Sequence, residues 1–204
     1  MPENNPPINR PLETQRRAIV IGASSGLGAA LARRLAARGY RVAAVARREA
    51  ELAALRDSAG PGLICPYVHD VTETEQVPLL FDQITRDLGG LDLIIYAAAV
   101  QPPVKLNEYD FAKDEVMIRT NLLGAIAWLN QAAARFERAR AGRIVGISSI
   151  AGDRGRVGSP VYNAGKAGLD TYLEALRNRL SRHGVTVTTI KPGFVDTDLL
   201  KNAP

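Results

Sequence analysis

The sequence predicts a single α/β domain, a doubly wound parallel sheet with helices packed on both faces. Three observations carry that expectation. Short β-branched runs alternate with amphipathic stretches along the chain. Glycines stand where the amphipathic stretches end, as helix-terminating glycines do. The residues just after each apolar run are rich in Gly, Ser, Arg and Asp, so polar chemistry gathers along one edge of the sheet.

Taken in order, strands are predicted at Ala18–Gly22, Arg41–Ala46, Leu63–Val68, Leu93–Ala98, Arg143–Ser148 and Val185–Ile190. Helices are predicted near Leu27–Arg38, Glu49–Asp57, Glu73–Leu88, Phe111–Arg140 and Val161–His183, ended by Gly39, Gly89–Gly90, Gly142 and Gly184. Strand–helix–strand units with right-handed crossovers give a three-layer, Rossmann-type sheet. Residues 1–15 read as a loose tail, rich in Pro and Asn and lacking the apolar segment of a signal peptide. The domain then spans residues 16–204, with no repeat or interdomain linker.

Composition narrows the function classes. The chain has 204 residues, 46% hydrophobic and 23% charged, which suits one soluble globular domain. No apolar run is long enough to span a bilayer. Net charge is +5, but the arginines are scattered along helical stretches and only 5% of residues are aromatic. That argues against nucleic acid as a partner. The single cysteine, Cys65, lies in an apolar run and reads as a small core residue; a lone thiol is compatible with a reducing, cytoplasmic setting. His69 and His183 belong to no Cys/His cluster, so no metal site is expected.

The first strand runs into Gly22, Ser24, Ser25, Gly26, Leu27 and Gly28, where the glycines are spaced GxxxGxG. Glycines there permit a tight turn and close approach of a pyrophosphate to main-chain N–H groups. The helix that follows adds unpaired donors and a partial positive charge. Further on, Tyr162 and Lys166 stand four apart on a predicted helix and so share one face. The preceding strand ends at Ser148-Ser149, beside that helix, and Asn121 lies in the long helix before it. These groups suit carbonyl reduction. A phenol that protonates an alkoxide needs its anion stabilised, a nearby ammonium does that, and a serine hydroxyl can hold the substrate oxygen. An asparagine side chain or its carbonyl could hold a water linking the lysine to solvent.

The glycine spacing, together with Asn121, Ser149, Tyr162 and Lys166 in that order and spacing, resembles the short-chain dehydrogenase/reductase family. The resemblance covers nearly the whole chain after the tail. It implies an oxidoreductase that moves a hydride between a nicotinamide and a carbonyl/secondary alcohol pair, with Tyr162 as general acid and base. It also implies a cytoplasmic homodimer or homotetramer built on the two long helices, whose leucines (Leu122 and Leu129; Leu169, Leu173 and Leu176) and Ile126 lie on more than one face. Arg47 and Arg48 end the second strand where a carboxylate would favour NAD, so the resemblance implies NADP(H) over NAD(H). Asp70 and Val71 match the family's adenine contact. Ala98 falls beside the cofactor, and Pro192, Gly193, Val195 and Thr197 match the segment that holds the carboxamide. A non-catalytic NADP-binding sensor or scaffold of the same fold is the alternative reading.

Several departures accompany the resemblance. Ile21 replaces the usual Thr before the glycine loop. The family's Asn-Asn-Ala-Gly becomes Tyr96-Ala97-Ala98-Ala99, for which altered backbone contacts are expected. The family's substrate loop and seventh strand have no counterpart before Pro204. The run Ala151–Arg156 faintly resembles family members acting on keto-sugars carried by polyprenyl phosphates, although a solvated charged loop is the favoured reading.

Overall fold

The computed structural model describes residues 16–197 and 199. The tail expected at residues 1–15 lies outside the described residues. Six strands, β1 (Arg17–Ile21), β2 (Arg41–Ala46), β3 (Ile64–Val68), β4 (Leu93–Tyr96), β5 (Gly142–Ile147) and β6 (Val185–Ile190), form one sheet among the described residues. Their order is β3-β2-β1-β4-β5-β6, and every neighbouring pair is parallel. The order reverses between β1 and β4, which is where such sheets open a crevice at their carboxyl ends.

Successive side chains of a strand point to opposite faces, and β1 uses that alternation to build two cores. Ala18 and Val20 pack against α1 (Gly26–Ala36) and α2 (Glu49–Asp57), through Ala29, Ala32, Leu52 and Leu55. Ile19 and Ile21 face α3 (Val77–Leu88), α5 (Gly124–Ala139) and α6 (Pro160–Leu180), through Phe81, Trp128, Phe136 and Leu173. Both faces of the central strands are therefore apolar, which explains why β1, β2 and β4 read as near-continuous hydrophobic runs.

The structure corrects the sequence reading in four places. The predicted helix Phe111–Arg140 is broken: α4 (Phe111–Ile118) gives way to a π-type turn at Arg119–Leu123 before α5 begins. Gly142 does not end that helix. Arg140 takes the left-handed position with φ 52°, and Gly142 opens β5 instead, where a Cβ would meet the Phe136 ring at 2.2 Å. Cys65 is half-buried rather than a core residue, because β3 lies at the sheet edge. Leu129, Leu169, Leu173 and Leu176 are buried in the chain's own core, so they give no argument for self-association.

Tyr96 shows what the altered stretch after β4 does. Its ring is fully buried in the core and its hydroxyl donates to the Thr120 carbonyl at 2.6 Å. The phenol thus ties the central strand to the turn between α4 and α5. Gly124 makes room for it, since a Cβ there would lie 2.8 Å from the Tyr96 oxygen.

Candidate active site

A cleft of about 830 Å³ lies at the carboxyl ends of the strands. Its floor is the turn from β1 into α1. Gly22 has φ +84°, and a Cβ on it would sit 2.5 Å from the Ala98 nitrogen, so the loop after β4 can pack directly on this turn. A Cβ on Gly28 would lie 2.1 Å from the Gly22 carbonyl oxygen. Only glycine allows the turn to fold this tightly. Ser25 caps α1 without a side-chain bond to the first-turn N–H groups. Those donors and the helix dipole suit a pyrophosphate, and the donor set of the floor fits a dinucleotide.

Positive charge flanks that floor. Arg48 donates to Ser24 Oγ at 2.9 Å and to Ser25 Oγ at 2.5 Å, which holds its guanidinium against the glycine turn. Arg47 pairs with Asp70 at 3.5 Å. Both arginines remain exposed on the cleft wall. Asp70 itself does not line the cleft. It accepts from the Thr72 N–H and hydroxyl at 2.9 and 2.8 Å, bracing the loop after β3. Burial opposes its ionisation, but the Thr72 bonds and Arg47 outweigh it and hold the carboxyl below the usual range.

At the other end of the cleft, Ser149, Tyr162 and Lys166 come together. Tyr162 and Lys166 share one face of α6, with the lysine Nζ 5.7 Å from the tyrosine ring centre. Lys166 is 2% exposed and donates to the Ile147 carbonyl at 3.0 Å. Burial pulls its pKa down to about 8, against an opposing pull from Asp170. Burial likewise raises the Tyr162 phenol, while the neighbouring Ser149 hydroxyl acts in the opposite direction. Ser149 Oγ accepts from the Ala151 N–H at 3.1 Å, which leaves its proton for the cleft. Ser148 also lines the cleft, but its hydroxyl proton is committed to the Lys166 carbonyl at 3.3 Å. Of the two serines, Ser149 is the one placed to act on a substrate.

Asn121 is the sequence-predicted residue whose place differs most from expectation. It is fully buried in the π-type turn and does not line the cleft. Its Oδ1 accepts from the Val100 N–H at 2.8 Å and its Nδ2 donates to the Val100 carbonyl at 2.9 Å. The side chain is committed to the loop after β4 and holds that wall in position. With the side chain so engaged, the backbone carbonyl is the one of the two expected water-holding groups that remains.

The segment after β6 closes the top. Pro192, Gly193, Val195 and Thr197 all line the cleft. The Thr197 methyl lies 3.3 Å from where a Gly26 Cβ would stand, so this segment reaches over the glycine turn. The Ile150 N–H donates to the Pro192 carbonyl at 3.1 Å. Lys191 ion-pairs with Asp170 of α6 at 2.9 Å and with Asp153 of the loop after Ser149. Sequence reasoning missed His69, Gln101 and Ser159, which also line the cleft although buried. No motif marks them; their burial beside the cleft comes from long-range packing. Arg156, in the charged run singled out from sequence, stands exposed at the mouth.

Known proteins resemble this chain in sequence and in fold. The short chain dehydrogenase family profile matches residues 16–204. An uncharacterized oxidoreductase of Myxococcus xanthus is 40% identical over 186 residues, covering 90% of this chain and 74% of that protein. The 3-oxoacyl-(acyl-carrier-protein) reductase of Bos taurus is 34% identical over 187 residues, covering 90% and 77%. Among solved structures, a variant of the actinorhodin polyketide ketoreductase with NADPH matches with TM-score 0.84 at 29% identity, covering 91% of this chain and 73% of that one. ElxO with NADP bound matches with TM-score 0.85 at 24% identity, covering 92% and 77%, a likeness of fold. The chain belongs to the short chain dehydrogenase family of oxidoreductases.

Proposed function

We propose that this chain is an NADP(H)-dependent oxidoreductase acting on a carbonyl/secondary alcohol pair, with Tyr162 as general acid and base. The observation that carries the reading is one cleft holding both the glycine turn with its two arginines and the Ser149–Tyr162–Lys166 cluster. The NADPH named with the polyketide ketoreductase supports the cofactor assignment. Arg47 and Arg48 supply the positive charge that a 2′-phosphate requires and a free ribose does not.

When bound, NADPH supplies the hydride. The residues of this chain handle the oxygen and its proton. The Ser149 hydroxyl donates to the substrate oxygen and fixes its position. Tyr162 gives its proton to the developing alkoxide. Burial keeps the phenol protonated before that moment, which suits a donor. The Lys166 ammonium stabilises the phenolate left behind, because an opposite charge nearby favours the ionised form. Asn121 acts through Val100, holding the wall that faces this group.

The test is NADPH and NADH oxidation by the purified full chain across a panel of ketones and aldehydes. Turnover with NADPH and weaker turnover with NADH is the expected result. NADPH binding without turnover of any carbonyl would leave the sensor or scaffold reading in its place.

A further inference from the structure

Gln101 lines the cleft at 8% exposure, in the loop that Asn121 pins through Val100. We infer that it is a specificity residue, selecting carbonyl substrates that carry a hydroxyl or N–H donor besides the reacting carbonyl. The inference rests on the reductase reading above.

The hydrogen bonds fix which way its amide points. Gln101 Nε2 donates to Ser159 Oγ at 3.1 Å. Ser159 has one hydroxyl proton, and it goes to the Gly158 carbonyl at 2.7 Å. Ser159 can therefore only accept from Gln101, so the amide nitrogen faces Ser159 and Oε1 faces away from it. Among the described residues, no donor reaches Oε1, yet that atom is not among the polar atoms sealed from solvent without a partner. Oε1 therefore keeps solvent contact, and the solvent beside Gln101 is that of the cleft it lines.

The acceptor is held rigidly. Ser159 caps α6, three residues before Tyr162, and its carbonyl accepts from the Asn163 N–H at 3.1 Å. Much of the cleft lining is apolar, including Val100 and Pro102, the neighbours of Gln101 in the chain. An apolar substrate pressed against this wall strips water from Oε1 and gives nothing back. A substrate with a donor at that point replaces the lost water, so the site favours it.

The donor could come from a small hydroxyketone or from an amide along a thioester arm, and two matched pairs separate these sources. The first pair is acetoin against butanone. The second is the N-acetylcysteamine thioester of acetoacetate against its ethyl thioester. In at least one pair, wild type is expected to favour the donor-bearing member in kcat/KM by roughly fivefold or more. Gln101→Leu should bring that ratio close to one. Ser159→Ala, which leaves the amide present but unanchored, should give an intermediate ratio, and it carries the test if Gln101→Leu fails to fold. Equal kcat/KM within both pairs, or a preference that survives Gln101→Leu, overturns the inference. Turnover of other carbonyls of the panel but of none of these four also overturns the inference, whereas no turnover of any carbonyl in the panel overturns the reductase reading itself, a distinct result.

Discussion

Lys166 Nζ donates to the Ile147 carbonyl at 3.0 Å, tethering the ammonium of α6 to the last residue of β5. A second bond runs the other way, from Ser148 Oγ to the Lys166 carbonyl at 3.3 Å. Strand end, serine pair and helix are thus joined at two points. Ser149 follows the strand end and Tyr162 stands one turn before Lys166 on the helix, so these two side-chain-to-backbone bonds help set their relative position.

The buried ammonium destabilises the fold at neutral pH. The fall of the Lys166 pKa from the ordinary 10.5 to about 8 corresponds to about 3 kcal/mol. The unfolded chain binds more protons than the folded one between these values, so stability rises with pH across that window. The cost is fully present below pH 8 and gone above 10.5. Lys166→Met lacks this dependence. Denaturation of both proteins across the window should show the wild type gaining about 3 kcal/mol relative to the variant. A constant difference would contradict burial of a titrating lysine.

Tyr96→Phe should destabilise the protein by about 1–3 kcal/mol, because the Thr120 carbonyl loses its partner inside the core. Urea denaturation measures it. An unchanged midpoint would mean that the phenol does not tie β4 to the turn between α4 and α5.

Replacing both Arg47 and Arg48 by Ala should weaken NADPH binding far more than NADH binding. Each charge-assisted contact to the 2′-phosphate contributes on the order of 1.5–3 kcal/mol. Dissociation constants for both cofactors, in wild type and variant, give the comparison. Equal affinities for the two cofactors in the wild type would remove the basis of the NADP assignment.

Much of this was legible in the sequence because it depends on local spacing. The glycine turn, the tyrosine–lysine pair and the alternation of strand and helix are each set within a few residues. The two arginines, read from their place at a strand end, are on the cleft wall as expected. What could not be read depends on partners distant in the chain. Gln101 meets Ser159 across 58 positions, and Asn121 meets Val100 across 21. The π-type turn at Arg119–Leu123 carries neither proline nor a capping signal to mark it, and its buried residues are the polar Thr120 and Asn121. Arg140 in the left-handed position was missed because the pattern offered Gly142 two residues later as the natural helix end.

In the proposed reduction Tyr162 delivers the proton. Tyr162→Phe keeps the ring and removes only the hydroxyl. The measurement is steady-state NADPH oxidation with one carbonyl substrate that wild type turns over, alongside NADPH affinity and melting temperature for both proteins. Turnover is expected to fall by roughly 10² or more, the usual scale of a general acid–base contribution, while affinity and melting temperature stay close to wild type. Near-wild-type turnover in Tyr162→Phe would mean that the proton comes from another group, and would contradict the account.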